Sequence, residues 1–265
     1  MPQFMNLGFT FDGLSGSDLG YYIVNMDSGG SNVLGLNKSI DEEDTGHTTK
    51  AFYGIKLEEM TFSIDIVKMP PNHSHYTILE ITEEDIHFLN NWLIKPQTYR
   101  IFSSDQNRDV FYYAMFLDMK ETRIGTKGYI TLQMRLNSGF AYSSAIHHMF
   151  SVDGALYDIR IETKSTVDEY IYPDISFKTS GGNVTITNES IGESMILTNL
   201  PSGEYICYNE DMKHIDCVTD PSLNMRTRFN GNWLRLLGNS ANILTITGDC
   251  EQIDIYFQNK IAIQH

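Results

Sequence analysis

One device recurs along this chain from its first residues to its last. Short runs in which Phe, Tyr, Ile, Val or Thr alternate with polar residues are punctuated by Gly, Asn, Asp and Pro. An alternation of period two sends successive side chains to opposite faces of an extended backbone, so these runs predict half-buried strands. In the opening FTFDGLSGSDLGYYIV, Phe9 and Phe11 alternate with Thr10, Asp12-Gly13 is a favoured hairpin-tip dipeptide, and Leu19 to Val24 resumes as a second strand. In LEEMTFSIDIV (57–67), Phe62, Ile64 and Ile66 fall on one face. YRIFSSD (99–105), VFYYAMFLDMKE (110–121) and GYITLQMRLNS (128–138) follow. The last two are long and joined by TRIGTK, which predicts an antiparallel β-hairpin.

Helix is the exception. In TEEDIHFLNNWLI (82–94), Thr82 is a good N-cap and Asp85 stands where it closes a variant capping box. Ile86, Leu89 and Leu93 share a stripe with Trp92 beside it, and Pro96 stops the helix. Around SGFAYSSAIHHMFSVDG (138–154) the alternation loosens, which predicts a domain boundary near residue 150. Beyond it DISFKT, NVTITNE, MILTNL, GEYICYN, GNWLRLL, NILTITG and QIDIYFQ recur at the turn-separated spacing of an all-β sandwich. The expected fold is therefore mainly β. Residues 1–150 form a sandwich or barrel-like domain with one α-helix and a long β-hairpin, and residues 151–265 form a second β-sandwich.

Composition narrows what such a fold can do. A chain of 265 residues suffices for two independently stable domains. With 41% hydrophobic and 20% charged residues its composition is globular. No apolar run approaches the roughly 20 residues that cross a bilayer, so no membrane partner is expected. MPQFMNLGFTFDG lacks the basic-then-apolar layout of a secretory signal, which places folding in a cytoplasm. The formal net charge of −15, from 34 acids against 19 bases, repels a phosphate backbone, and no run of Lys and Arg offsets it. Cys207, Cys217 and Cys250 are sparse and odd in number, which predicts reduced thiols.

Reactive constellations are scarce. His73 and His75 in PPNHSHY would point the same way in an extended segment, as metal ligands do, but no Cys or carboxylate follows at ligand spacing. The adjacent His147 and His148, in the expected interdomain connection, would face opposite sides of a strand. Asp41, Glu42, Glu43 and Asp44 lack the alternating ligands and fixed glycine of a calcium loop and read as a solvated loop. No metal or cofactor is expected. The chain has no Gly-x-Ser-x-Gly elbow and no Gly-rich phosphate loop, and His214 and Cys217 fall on opposite strand faces. No catalytic residue is expected, and the chain does not read as an enzyme. Trp233, Tyr205 and Tyr208 suggest a sugar-stacking platform. Parity places Trp233 opposite Leu234 and Leu236 and beside Arg235 and Leu237, which leaves its exposure open.

The order of segments carries more than any single residue. Through Phe11, Asp12, Gly13, Ser15, Ser17, Asp18 and Gly20, the opening stretch resembles the start of the distal tail proteins of long, flexible-tailed bacteriophages. EEMTFSIDI, the helix ending NNWL and the run GYITLQMRLNSGFAYS follow in that family's order. YIYPDISF, NVTITNES, GEYICYNED, NWLRLLGNSANILTITG and QIDIYFQNK are similar to its carboxy-terminal, galectin-like sandwich. GNSAN (238–242) stands where the family often has Pro-Gly, so that turn is expected to differ. No long insertion, the usual carrier of glycan binding in the family, interrupts either half.

The resemblance implies a structural virion protein, a distal tail protein at the tail tip, assembled in the bacterial host cytoplasm. Its first domain would form a homo-hexameric ring, the hub that joins the tail tube to the baseplate. Implied partners are the major tail tube protein, the tape-measure protein and the tail-associated tip protein, with DNA only in transit through the bore. An acidic or neutral lining would lower DNA retention there. A ring that closes by rotation needs a heterologous interface, most simply built from sheet edges and hairpin arms. Phe9, Phe11, Asp12 and Gly13 of the opening hairpin, and Phe111 and Tyr113 of the long pair, are the expected inter-subunit residues. The alternative is a carbohydrate-binding adhesion module whose second domain contacts host cell-wall polysaccharide, with Trp233 as the expected glycan contact.

Overall fold

Asp12 and Gly13 both adopt left-handed backbone angles (φ 50° and 80°), and through them β1 (Phe9–Phe11) turns directly into β2 (Leu14–Ser15). Two such residues in succession are what a tight hairpin needs, and Gly13 meets the requirement without steric cost. The structure, a computed structural model, describes residues 8–27, 38–46, 49–70, 77–105, 107–124, 127–209 and 213–262. It divides into two units, Met1–Tyr142 with Ala262–His265, and Ser143–Ile261.

In the first unit the hairpin's return is only the two residues of β2. The expected second strand, β3 (Tyr21–Asp27), does not pair with β1, because the other side of β1 is taken by a later strand. The strands that follow are β4 (Lys38–Glu43), β5 (Ala51–Leu57), β6 (Thr61–Lys68), β7 (Arg100–Ser104), β8 (Asn107–Ile124), β9 (Lys127–Leu136) and β10 (Phe140–Ser143). The main sheet runs β2-β1-β7-β8-β9-β6-β3 and curls into half a barrel. β10 joins it beside β8, and a last strand, β18 (Lys260–Ala262), beside β10. The expected long hairpin is β8–β9, paired from Ala114↔Leu136 to Ile124↔Lys127.

Aromatic rings fill the concave side. Phe9 stacks on Trp92 at 5.6 Å and on Phe102 at 6.0 Å, and Phe11 meets Phe116 edge-on at 5.0 Å. The indole Nε1–H of Trp92 donates to the Phe11 carbonyl at 3.1 Å. The predicted helix is present as α1 (Glu83–Leu89), followed by one wider π-helical turn over Asn90–Ile94. Its capping box is complete: Asp85 N donates to Thr82 Oγ1 (3.2 Å), and Thr82 N donates to Asp85 Oδ2 (2.8 Å). Asp85 is buried and also accepts the Tyr21 hydroxyl at 2.7 Å and the Lys68 ammonium at 2.6 and 2.8 Å. One carboxylate thus ties β3, β6 and α1 together. Burial alone would raise its pKa, but Lys68, the Thr82 backbone N–H, Tyr21 and the Thr82 hydroxyl hold it well below the usual carboxylate range.

The second unit contains β11 (Ile146–Ser151), β12 (Ala155–Glu162), β13 (Asp174–Asn188), β14 (Glu193–Leu200), β15 (Gly203–Tyr208), β16 (His214–Cys217) and β17 (Ala241–Phe257). Ile146–Ser151 pairs with Phe257–Gln252, so the boundary falls at Tyr142/Ser143 rather than near residue 150. The alternation there is weak because β11 lies at a sheet edge, with Ile146, His148 and Phe150 only half-buried. DISFKT and NVTITNE are two halves of one strand, β13, and NILTITG and QIDIYFQ are two halves of β17. GNWLRLL is not a strand, and its one β-bridge is Ile171↔Leu236.

β13 and β17 pair along their length, and both change phase midway. Inward residues run Ile175, Phe177, Thr179, then Val184, Ile186, Asn188 on β13, and Asn242, Leu244, Ile246, Cys250, then Ile253, Ile255 on β17. β12 and β14 flank one half of this pair, and β11 and β15 flank the other. Residues of both halves share a single buried cluster, so the sheet folds across itself around one core. The fold line is made of glycine. Gly181, Gly182 and Gly248 have φ of 112°, 109° and 104°, and a Cβ on Gly248 would lie 2.0 Å from the Asn183 carbonyl oxygen.

Gly248→Ala is expected to cost the second unit about 3 kcal/mol or more through clash and backbone strain. Gly231→Ala, at φ 82° but in open space, should cost only about 1 kcal/mol. Denaturant midpoints for hydrogen exchange along β13 and β17 read both values. In the first unit, Asp85 is held ionised far below the pKa of about 3.9 it has when unfolded. Its contribution is complete above about pH 5 and is lost as pH falls toward the folded value. Asp85→Asn should therefore cost about 2 kcal/mol at pH 7, with the gap to wild type narrowing toward pH 2 in thermal unfolding of the first unit.

Candidate assembly surface

Phe9 and Phe11 are fully buried, and the backbone of β1 is paired on both sides, by β2 and β7. Neither ring is available to a neighbouring subunit, which corrects their expected interface role. The same alternation that marked them as a strand places them on the core face. The tip stays open: Asp12 and Gly13 are exposed, Leu14 beside them is 48% exposed, and Asp12 lies 3.7 Å from Arg100. On the long hairpin, Phe111 and Tyr113 are half-buried. Tyr113 packs edge-on against Tyr142 at 5.0 Å and pairs across the ladder with Ile101, which is 47% exposed.

A group of exposed apolar side chains flanks the acidic run that was read as a solvated loop. Asp41, Glu42 and Glu43 belong to β4, which pairs only with β5 among the described residues, in a two-stranded arm apart from the main sheet. Ile40 faces Ile55 and, after a bulge at Tyr53, Glu42 faces Phe52. Ile40, Phe52, Tyr53 and Ile55 are between 59% and 65% exposed. Lys50 pairs with Glu42, and the Tyr53 hydroxyl donates to Glu43 at 2.9 Å. The acid run masked a strand whose partner, AFYGIKL, carries the β-forming signal. An isolated two-stranded hairpin is marginal in water.

Elsewhere the arrangement offers little chemistry. His73 and His75 lie outside the described residues. His147 and His148 lie on β11 rather than in a connection, and on opposite faces. The first hydrogen-bonds Asp254 at 2.7 Å and stacks on Tyr256 at 4.3 Å, whereas the second lies near Phe150 and Phe257. All three cysteines are free and buried. Burial pushes the Cys207 thiol far up and that of Cys250 to about 11, so neither is a ready thiolate. Cys217 is buried while His214 is exposed on the other side of β16. Among the described residues no three His, Cys, Asp or Glu side chains gather as metal ligands, and no helix is long and apolar enough to cross a membrane. Trp233 is half-buried against the second core, edge-on to Phe229 at 4.8 Å.

The comparisons agree with this architecture. The chain matches the phage tail protein N-terminal domain over residues 4–138 and the phage tail C-terminal domain over residues 140–257. No curated protein sequence matches it. Among solved structures it is similar to the Dit (gp 19.1) protein of phage SPP1, at 12% identity and a TM-score of 0.64, over 96% of this chain and 98% of that one. A chain of the phage P2 baseplate, in its activated conformation with calcium, gives 8% identity and a TM-score of 0.54 over 96% and 98%. The strontium form of that baseplate gives the same identity and score. At such identities these likenesses speak for the fold, while the two matched domains speak for kinship. The chain belongs to the phage tail proteins that carry these two domains, and it is a structural component of the tail, not an enzyme.

Proposed function

We propose that this protein is a distal tail protein whose first unit closes into a six-membered ring, a hub between the tail tube and the baseplate. The observation that carries the reading is the β4–β5 arm. Four large apolar side chains more than half exposed on a hairpin with no sheet of its own mark a surface completed by another copy. Burying them would contribute on the order of 5 kcal/mol per arm before the cost of ordering it. An arm laid on the body of the next copy makes a heterologous contact, which suits a ring. The exposed tip at Asp12, Gly13 and Leu14, and the Ile101–Tyr113 strip of the long hairpin, are the proposed receiving surface.

The fold shared with phage SPP1 Dit supports this reading, since that protein is described as a paradigm of the hub adsorption apparatus in phages that infect Gram-positive hosts. The ring would sit on the major tail tube protein, meet the end of the tape-measure protein and hold the tail-associated tip protein, with DNA crossing the bore in transit. A net charge of −15 suits a passage that must not retain phosphates.

Light scattering and negative-stain micrographs of the purified chain are expected to give a hexamer with an open centre. Phe52→Asp with Ile55→Asp should leave a folded monomer, with unchanged circular dichroism, because both side chains already stand in water. A wild-type chain that stays monomeric at high concentration, or an arm variant that still forms rings, overturns the proposal.

A further inference from the structure

Among the described residues the second unit presents four strand margins, and three of them are closed to a further strand. β12 is broken by a bulge between Leu156 and Ile159, where Asp158 takes a left-handed φ of 55°, and it carries Arg160 and Glu162. β14 is covered by a later segment: Thr198 N donates to the Arg228 carbonyl at 2.8 Å and Asn230 N to the Ile196 carbonyl at 3.0 Å. β16 spans only four residues and holds Asp216. Bulges, charges, short length and covering loops are how sheets keep foreign strands off. β11 has none of these devices. Its IHHMFS contains no Lys, Arg, Asp, Glu or Pro, its six residues pair with β17 without a break in register, and among the described residues it pairs with no other strand.

The direction of its free backbone follows from one hydrogen bond. Just beyond β11, Val152 N donates to the Glu251 carbonyl at 2.8 Å in the same register. In an antiparallel ladder each residue turns its N–H and C=O to one side, and the side alternates along the strand. Phe150, His148 and Ile146 therefore turn theirs to β17, and His147, Met149 and Ser151 turn theirs outward. The side chains beside those outward groups are well placed. His147 is hydrogen-bonded to Asp254 at 2.7 Å, to which Gln252 also donates at 2.8 Å, and its ring stacks on Tyr256. Met149 is 64% exposed on the same face, while Ile146 and Phe150 are half-buried against the core on the other.

We propose that β11 is a docking edge for an extended segment of a different polypeptide, basic in charge and apolar at alternate positions. The outward N–H and C=O groups of three residues have another strand as their complement. On one face, side chains of the incoming strand lie beside Met149, and on the other they extend the row of Ile146 and Phe150. Charge selects the partner. The second unit, residues 143–261, holds sixteen acids against eight Lys and Arg, so a second copy is repelled whereas a basic strand is drawn in. The edge is separate from the β4–β5 arm and makes no use of ring closure.

Fluorescence anisotropy of the full chain with a labelled peptide alternating valine with lysine tests this, read together with hydrogen exchange. Binding should be saturable, and about tenfold or more tighter at low salt than for the same peptide with glutamate in place of lysine. Exchange should slow about tenfold or more at the amides of His147, Met149 and Ser151. Met149→Pro removes one outward N–H without cutting the ladder to β17, and Met149→Lys puts a charge on the edge at an exposed position. Each should weaken binding about tenfold or more, and Met149→Lys is expected to keep the wild-type Tm. The arm variant Phe52→Asp with Ile55→Asp should bind equally well, so that failure of this edge and failure of ring assembly are told apart. The assignment is overturned by absence of saturable binding below about 1 mM, equal affinity for the glutamate peptide, or unchanged affinity in a folded Met149 variant. It is also overturned if these amides gain protection with protein concentration alone, as a second copy on the edge would give.

Discussion

The first unit depends on a constraint of chain length. Ser15 ends β2 at one edge of a seven-strand path, and Tyr21 begins β3 at the other. Six residue steps reach about 21 Å when fully stretched. A flat sheet would set those strands about 29 Å apart, at six spacings of about 4.8 Å. The connection is not stretched either, since Tyr21 N donates back to the Gly16 carbonyl at 2.7 Å. The sheet therefore has to curl until its margins almost meet. Gly20 makes the passage possible, with φ of 81° and a Cβ position 2.6 Å from the Met69 carbonyl oxygen. The phenylalanines of β1 and the indole of Trp92 fill the space the curl encloses, and Asp85 fastens the far margin to the helix.

The second unit reaches an enclosed core by another route. Instead of curling, its two longest strands run through a crease and continue as a second layer. The phase change in β13 and β17 is the local signature of that crease, because side chains facing inward must switch parity when the strand passes from one layer to the other. Cross-strand hydrogen bonds survive on both sides of the crease, which holds the layers in register. The irregular stretch before β17 cannot join this ladder, and the buried Asn188, Asn209 and Asn242 take over the role of backbone pairing there.

Much of this was legible in the sequence, for identifiable reasons. Period-two alternation located β1, β3, β6 to β9, β13 to β15 and β17 but not the arm strands β4 and β5 or the edge strands β11, β12 and β16, and Thr82 with Asp85 located the helix start to the residue. The long hairpin was visible because both its strands alternate without interruption. What failed was information that is not local. Alternation says that Phe9 and Phe11 share a face but not that Trp92 and Phe116 close over it, so they looked available to a partner. Asp12-Gly13 announced a reversal, but not that the return would last two residues. Asp41–Asp44 looked like a loop because charge dominates its composition, while the apolar residues that define the arm lie ten residues later. A motif such as GNWLRLL alternates as a strand does, yet side-chain amides hold it instead of a neighbouring ladder. The cluster around Arg235 was not visible in the sequence, because Glu193 and Tyr170 reach Arg235 only through the fold.

The carboxylates beside the arm's apolar residues give it a polarity. Asp41, Glu42 and Glu43 sit on the same two strands as Ile40, Phe52 and Ile55, and Lys50 neutralises only one of them in the contacts described. Two arms approaching each other would bring like charges together, whereas in the proposed ring an arm would meet the hairpin tip of another subunit, where Arg100 already offsets Asp12. In the proposed ring, reciprocal embrace would thereby be disfavoured and each molecule would grasp the next. If the proposed ring forms this way, its growth would run in one rotational sense and end when the last free arm met the first vacant body.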